Sequence, residues 1–363
     1  MRITSPRVAT GSSFLSMFFL GVGVAIVGAT ARAVGLSPAE IGYLIAAQNV
    51  GFGIAVVVGG ALSDLYRKPV ILTIGLVLLA ISFALLYRSE SLAVNLAVML
   101  LMGSGMGAAE AVTDALLLEM HTRNESGLVT INHFFVSIGS VVITLYLMAL
   151  ELDWSASLSQ VAVVLAALAV LVAFLRPPGH VGNASSGGQI FRELTGDWGI
   201  ALLFLSGVGA IGLGVGSAGV ITTFATELRS LDASRAQVIL AVFLVGLAVG
   251  RILVGLLGKG RSPGRMATIA ASGALIFSVA FYLIPLPAAA LLPLAGAMGL
   301  TVAPLLPLTI ATAGLRYRHI AGSAMGLVKL SIPIGGIVIP GLIGIISDLG
   351  SFRAALYLFP ASA

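Results

Sequence analysis

The sequence contains no cysteine. Disulfide bonds, thiolate zinc sites and thiol nucleophiles are therefore excluded. Histidine is also scarce, with four residues in the chain, and no nucleophile and base or group of metal ligands occurs at a recognisable spacing. The sequence thus predicts that the protein is not an enzyme and that it uses no metal or other cofactor.

Charged residues are few as well. Only 9% of the 363 residues are charged and 58% are hydrophobic, which gives a mean hydropathy of +1.11. This composition lies far outside the range of water-soluble domains. The net charge of +5 is therefore attributed to the basic loops of a membrane protein, and no nucleic-acid partner is predicted.

Long apolar runs fill the chain. A helix needs about 20 apolar residues to cross the hydrocarbon core of a bilayer, and eleven runs meet this requirement. They lie at about residues 12–31, 39–62, 69–88, 92–119, 127–150, 157–175, 198–226, 234–257, 264–284, 288–314 and 320–347. A twelfth begins near Arg353, but the remaining residues would cover only about 16 Å as a helix, so we expect helix 12 to be truncated.

Lysine and arginine are distributed unevenly between the loops. If the N-terminus is cytoplasmic, twelve of them lie in cytoplasmic segments and five on the opposite side. Cytoplasmic loops of membrane proteins carry such an excess. The sequence therefore predicts a multi-pass protein of the cell membrane (inner or plasma membrane) with a cytoplasmic N-terminus. We expect a monomer surrounded by the lipid bilayer.

The two parts of the chain resemble each other. HFFVSIGSVVIT, which begins at His133, aligns with KLSIPIGGIVIP, which begins at Lys329, at an offset of 196 residues. Parallel repeats of this kind are typical of transporters. They predict an N-terminal six-helix half at residues 1–175, a cytoplasmic linker at 176–197 and a C-terminal half at 198–363 with helices 7 to 11 and part of helix 12.

The loop after the second run carries a motif, in the segment GGALSDLYRKPV. With one position deleted, it is similar to the signature G-x-L-A-D-R-x-G-R-R/K of the major facilitator superfamily, which the chain resembles over essentially its whole length. The matching residues are Gly60, Asp64, Arg67 and Lys68. The resemblance implies an all-α fold of two six-helix halves and a cytoplasmic latch that opens with the cavity, although the positive-inside rule also accounts for these basic residues. Arg251, in the matching segment of the second half, is assigned to the same gating group.

The fourth and fifth runs resemble a particular branch of this superfamily, the fucose/glucose-proton symporters. In that branch a glutamate is followed four residues later by an asparagine, and here Glu110 is followed by Asp114. The proline-bearing motif of drug antiporters is not present at residues 139–146. The resemblance implies proton-coupled sugar uptake.

Glu110, Asp114 and Lys329 are ionisable residues inside the apolar runs. Glu110 is about 15 Å from the end of its run, near the middle of the membrane, and Asp114 lies one turn nearer the cytoplasm on the same helix face. Lys329 lies about 14 Å inside the eleventh run. Because such residues are costly in hydrocarbon, they usually serve ions or substrate. We assign proton coupling to Glu110 and Asp114 and substrate binding to Lys329; helix packing, partial solvation of Asp114 and snorkelling of Lys329 are the alternatives.

Further polar residues could contact a solute. Gln48 and Asn49 interrupt the second run and suit a hydroxylated solute, but amides also hold membrane helices together. His133 is either proton-sensitive or a neutral packing residue. These three complete the predicted substrate-binding set.

The sequence as a whole favours a secondary transporter that works by alternating access. We expect proton-coupled uptake of a sugar-like or other small neutral polar solute, with protons as the second partner. Proton-antiport efflux of amphipathic or drug-like compounds is the alternative, followed by a membrane sensor that transports nothing.

Overall fold

The computed structural model describes residues 4–121, 125–149, 154–176, 192–194 and 196–363. Over these ranges the regular structure is helical, with no β-strand. Eleven helical segments of this described part are long and apolar enough to cross a membrane, from Pro6–Ala31 to Arg318–Leu349. The eleven predicted spans and the all-α membrane fold are thereby confirmed. Most of the predicted linker at residues 176–197 lies outside the described residues.

The first six helices follow one another closely along the chain. They are α1 (Pro6–Val34), α2 (Pro38–Leu65), α3 (Lys68–Leu85), α4 (Leu92–Met120), α5 (Glu125–Ala149) and α6 (Trp154–Ala173). Local signals fix several of the ends. Ser37 and Glu40 form a capping box at the start of α2, which satisfies amides that have no partner within the helix. The helix α3 ends before the predicted residue 88, and Tyr87 beyond it has a φ of 57°.

The later spans are less regular. Their helices are α7 (Trp198–Thr223), α8 (Ala233–Leu257), α9 (Pro263–Ser278), α10 (Ala288–Val302), α11 (Leu305–Arg316), α12 (Ala321–Lys329), α13 (Ser331–Leu349), α14 (Phe352–Ala355) and α15 (Leu358–Ser362). Single π-helical turns, at Phe224–Leu228 and Val279–Leu283, extend α7 and α9.

Two predicted runs are divided into two helices each, and proline explains both breaks. Pro304 has no N–H to bond the carbonyl of Leu300, and α10 ends at Val302. Pro333 likewise cannot bond the carbonyl of Lys329, and α12 ends at Lys329. The second break leaves a lysine at the C-terminal end of a short helix.

Residue contacts divide the chain into two compact units. The first comprises Met1–Thr122, Asn132–Gly196 and Ala313–Leu330. Within it, Gly103 of α4 lies against the backbone of Gln48, and Gly107 lies against that of Phe52. Small residues at such positions let helix backbones approach closely in a membrane.

The second unit comprises Arg123–Ile131, Asp197–Thr312 and Ser331–Ala363. Its interior includes a buried group of aromatic rings, in which Phe224 and Tyr282 pack edge to face and Tyr282 stacks on Phe359. The division into halves at residues 1–175 and 198–363 that the repeats favour stays a prediction.

Candidate functional site

Two acidic side chains lie inside the first unit. Glu110 and Asp114 are four residues apart on α4 and therefore share one face of the helix. Glu110 is 2% exposed and Asp114 is fully buried. The alternative in which Asp114 is partly solvated is wrong, because neighbouring helices enclose its carboxylate. A carboxylate so deeply buried requires compensating charge or hydrogen bonds.

The compensating positive charge comes from Lys329, the last residue of α12. Its Nζ lies 2.8 Å from Oδ2 of Asp114 and 3.4 Å from Oε1 of Glu110. It also donates a hydrogen bond to the main-chain carbonyl of Glu110. Lys329 is fully buried, so its amine pairs with the acids and does not snorkel.

The helix α5 contributes two more polar side chains. The Nε2 atom of His133 lies 3.0 Å from Oδ2 of Asp114 and 3.6 Å from Oε1 of Glu110. Asn132 donates from Nδ2 to Oδ1 of Asp114 at 2.8 Å. We refer to Glu110, Asp114, His133 and Lys329 as the buried charge cluster.

The two acids of this cluster are bound differently. Asp114 uses both oxygens, because Asn132 occupies one and Lys329 and His133 share the other. By contrast, Oε1 of Glu110 accepts no hydrogen bond from any described residue. With both carboxylates and the ammonium ionised and the imidazole neutral, the cluster carries a net charge of −1. One additional proton makes it neutral.

The motif after α2 holds the other end of α12. The carboxylate of Asp64 accepts hydrogen bonds from the backbone N–H groups of Gly322 and Ser323, at 2.8 and 2.7 Å. These amides belong to the first turn of α12, where the helix dipole also favours a negative charge. Gly60 lies directly against this helix, and an added Cβ would be 3.1 Å from Cα of Gly326. The helix α12 is therefore held at its start by Asp64 and at its end by the acids of α4.

The remaining gating candidates have separate surroundings. Lys68 is buried, and its Nζ lies 2.5 Å from Oε1 of Glu119 and 3.2 Å from the carbonyl of Ser63. The side chain of Arg67 is exposed. Arg251 is half-buried in α8 of the second unit.

The two amides of α2 bond to the backbone. Gln48 is buried and donates to the carbonyl of Gly23 at 2.9 Å, with the sulfur atoms of Met102 and Met106 at 3.5 and 3.4 Å. Asn49 donates to the carbonyl of Ile45 in its own helix at 3.0 Å. The bond of Gln48 therefore joins α2 to α1, whereas the bond of Asn49 stays within α2.

Sequence reasoning missed two partners of these charged groups. The amide of Asn132 supports Asp114. Glu119 neutralises the buried Lys68. The available signal for Asn132 was the adjacent His133, because two neighbouring polar residues in an apolar run indicate a helix face that meets other polar groups.

Glu110, Asp114 and His133 are also of metal-ligand type. One ligand atom from each lies within 4.8 Å of the other two. The ammonium of Lys329 lies 2.8 Å from Oδ2 of Asp114 and 3.4 Å from Oε1 of Glu110 in this arrangement. The cluster as described thus already contains a cation.

A family model, the Major Facilitator Superfamily, matches residues 8–313, whereas no curated protein matches the sequence significantly. The E. coli fucose:proton symporter FucP shares 14% identity over 99% of this chain and 96% of its own, with a TM-score of 0.80. The proton:xylose symporter XylE shares 15% over 98% and 93%, with a TM-score of 0.71. The human organic anion transporter MFSD10 (TETRAN) shares 15% over 99% of both chains, with a TM-score of 0.69.

Proposed function

The chain belongs to the major facilitator superfamily of membrane transporters, which are not enzymes, and from this premise we propose that it couples the uptake of a small neutral solute to the entry of protons. The observation that carries the proposal is the buried charge cluster, in which two carboxylates face one ammonium and one imidazole. A sugar or similar hydroxylated solute is the proposed substrate. The proton:sugar symporters FucP and XylE, whose fold the chain shares, support this choice.

Glu110 is the proposed proton carrier. Its Oε1 atom has no hydrogen-bond donor among the described residues, whereas Asp114 is occupied on both oxygens. Protonation of Glu110 removes the excess negative charge from the cluster. Because a net charge in hydrocarbon is costly, the neutral cluster favours reorientation of the loaded carrier. The proton gradient is thereby linked to solute movement.

Two other acidic side chains near the cluster have partners of their own. On α4, Glu119 pairs with Lys68. On α2, which packs on α4 and α12, Asp64 binds the start of α12. The proposal therefore assigns the pH response to the cluster: Glu110, with Asp114, His133 and Lys329 as the groups that face it.

The solute contacts and the latch stay proposals from the sequence. For Gln48 and Asn49 to bind a solute, they would exchange their backbone hydrogen bonds for bonds to its hydroxyl groups. The latch proposal gains support from the two hydrogen bonds between Asp64 and α12. Release of this end of α12 would accompany opening toward the cytoplasm, the side to which the positive-inside count assigns the loop.

Export by proton antiport is the second candidate. The organic anion transporter MFSD10 matches the chain as completely as the sugar symporters do. The same cluster would then bind protons in exchange for an amphipathic solute. Only the direction of coupled movement and the chemistry of the solute differ between the two candidates.

An experiment with purified protein in liposomes separates them. A pH-sensitive dye inside the vesicles reports proton movement when sugars, polyols, organic anions or lipophilic cations are added outside at equal initial pH. Acidification of the lumen by a sugar or polyol supports symport. Alkalinisation by an amphipathic solute moves the assignment to antiport, and a solute that crosses without any pH change contradicts proton coupling.

A further inference from the structure

The buried charge cluster has the composition of a divalent metal site. Glu110 and Asp114 supply carboxylate oxygens and His133 supplies an imidazole nitrogen, and these ligand atoms lie within 4.8 Å of one another. Such a set binds Zn²⁺, Co²⁺ or Mn²⁺ in proteins. All three residues are buried, so water would compete little for the metal.

One ligand atom still has an unused lone pair. Oε1 of Glu110 is buried and accepts no hydrogen bond from the described residues, although Nζ of Lys329 and Nε2 of His133 lie 3.4 and 3.6 Å away. A buried carboxylate oxygen normally has a hydrogen bond or a cation. This oxygen has no hydrogen bond from the described residues and therefore remains available as a metal ligand near Nε2 of His133.

The ammonium of Lys329 lies against the two carboxylates of this ligand set. It lies 2.8 Å from Asp114, a normal distance for a charge-assisted hydrogen bond. Two features set the position of the Lys329 amine: Pro333 ends α12 at Lys329, and Asp64 holds the other end of this helix. The lysine is thus a cation attached to the chain.

We propose that Lys329 fills a latent divalent-cation site formed by Glu110, Asp114 and His133, and that its amine is the group that excludes metal ions. Two carboxylates need two positive charges. The lysine supplies one and repels a divalent ion at close range, whereas without the amine a divalent ion would neutralise both carboxylates. This proposal concerns ion binding alone. It does not depend on whether a proton supplies the second positive charge during transport.

The test compares metal binding by wild-type protein and by the variants Lys329→Met and Lys329→Gln in detergent. Calorimetric titration with Zn²⁺ gives affinity and stoichiometry, and the visible spectrum of Co²⁺ reports an enclosed site of low coordination number. We expect each variant to bind one ion on the order of 100-fold or more tighter than wild type. Wild type and both variants share surface groups that could bind metal, such as the exposed pair His319 and Glu193. Their contribution therefore cancels in the comparison.

Matched controls identify the ligands. Lys259→Met removes an exposed lysine and should leave metal binding as in wild type. The double variant Lys329→Met with His133→Gln should lose the added site and its Co²⁺ spectrum. Binding that stays at the wild-type level in both lysine variants, or that survives the loss of His133, overturns the proposal.

Loss of the lysine leaves two buried carboxylates without a partner and threatens folding. Each variant is therefore also purified with Zn²⁺ present throughout. Recovery of folded protein only with Zn²⁺ supports the site, and failure to recover either variant with the metal counts against it. A transport assay that shows no proton coupling would refute the proposed function and leave this result unchanged.

Discussion

Replacement of Asp64 by asparagine should loosen α12. The carboxylate accepts two backbone N–H groups of this helix, from Gly322 and Ser323, whereas a carboxamide has only one oxygen to accept them. One hydrogen bond to a charged group is lost, which costs about 1.5–3 kcal/mol. Loss of the negative charge at the helix N-terminus adds about 0.3–1 kcal/mol. We expect the free energy of unfolding to fall by about 2–4 kcal/mol.

Two measurements test this value. Reversible unfolding in mixed detergent micelles gives the free energy, with Asp348→Asn, an exposed residue, as the matched control that should stay within about 0.5 kcal/mol of wild type. Hydrogen exchange reports the amides of Gly322 and Ser323 directly, and a loss of 2 kcal/mol corresponds to about 30-fold faster exchange if they open locally. Equal stability of the two variants, with unchanged exchange, would refute the role of Asp64 as the anchor of α12.

Three further experiments test the packing around the site. Asp114→Asn leaves the buried ammonium with a single acid and should destabilise the protein by about 3–5 kcal/mol in the same unfolding assay; a loss below 1 kcal/mol would show that the cluster contributes little. The single variants Lys68→Met and Glu119→Gln should each lower the free energy of unfolding by more than half of the loss in the double variant, because each alone leaves one charge without its partner. A strictly additive double-mutant cycle would rule out their pairing. Gly60→Val brings a side chain against the backbone of α12, so folded yield should fall well below that of Gly42→Val, whose added Cβ meets open space.

The spans were predictable because a single physical length sets them. A helix must cover the hydrocarbon core, so run length alone located eleven segments. The breaks at Pro304 and Pro333 were also present in the sequence as missing N–H donors. They were not predicted, because proline is tolerated inside membrane helices where neighbouring groups satisfy the freed carbonyl.

The site was predictable only in part. The spacing of four residues correctly put Glu110 and Asp114 on one face, since that relation is local to the helix. The preference of Lys329 for Asp114, at 2.8 against 3.4 Å for Glu110, depends on where α12 packs against α4. No spacing within one helix determines that packing. For the same reason the backbone bonds of Gln48 could not be distinguished from a role in solute binding.

The most direct test of the proposed proton coupling is solute accumulation by the variant Glu110→Gln in liposomes with an imposed inward proton gradient. Glu90→Gln makes the same chemical change at an exposed position and serves as the control. If Glu110 carries the proton, the variant should lose uphill accumulation, fall to the equilibrium solute ratio and keep exchange of labelled for unlabelled solute, while the control accumulates normally. Normal gradient-driven accumulation by Glu110→Gln would contradict the assignment.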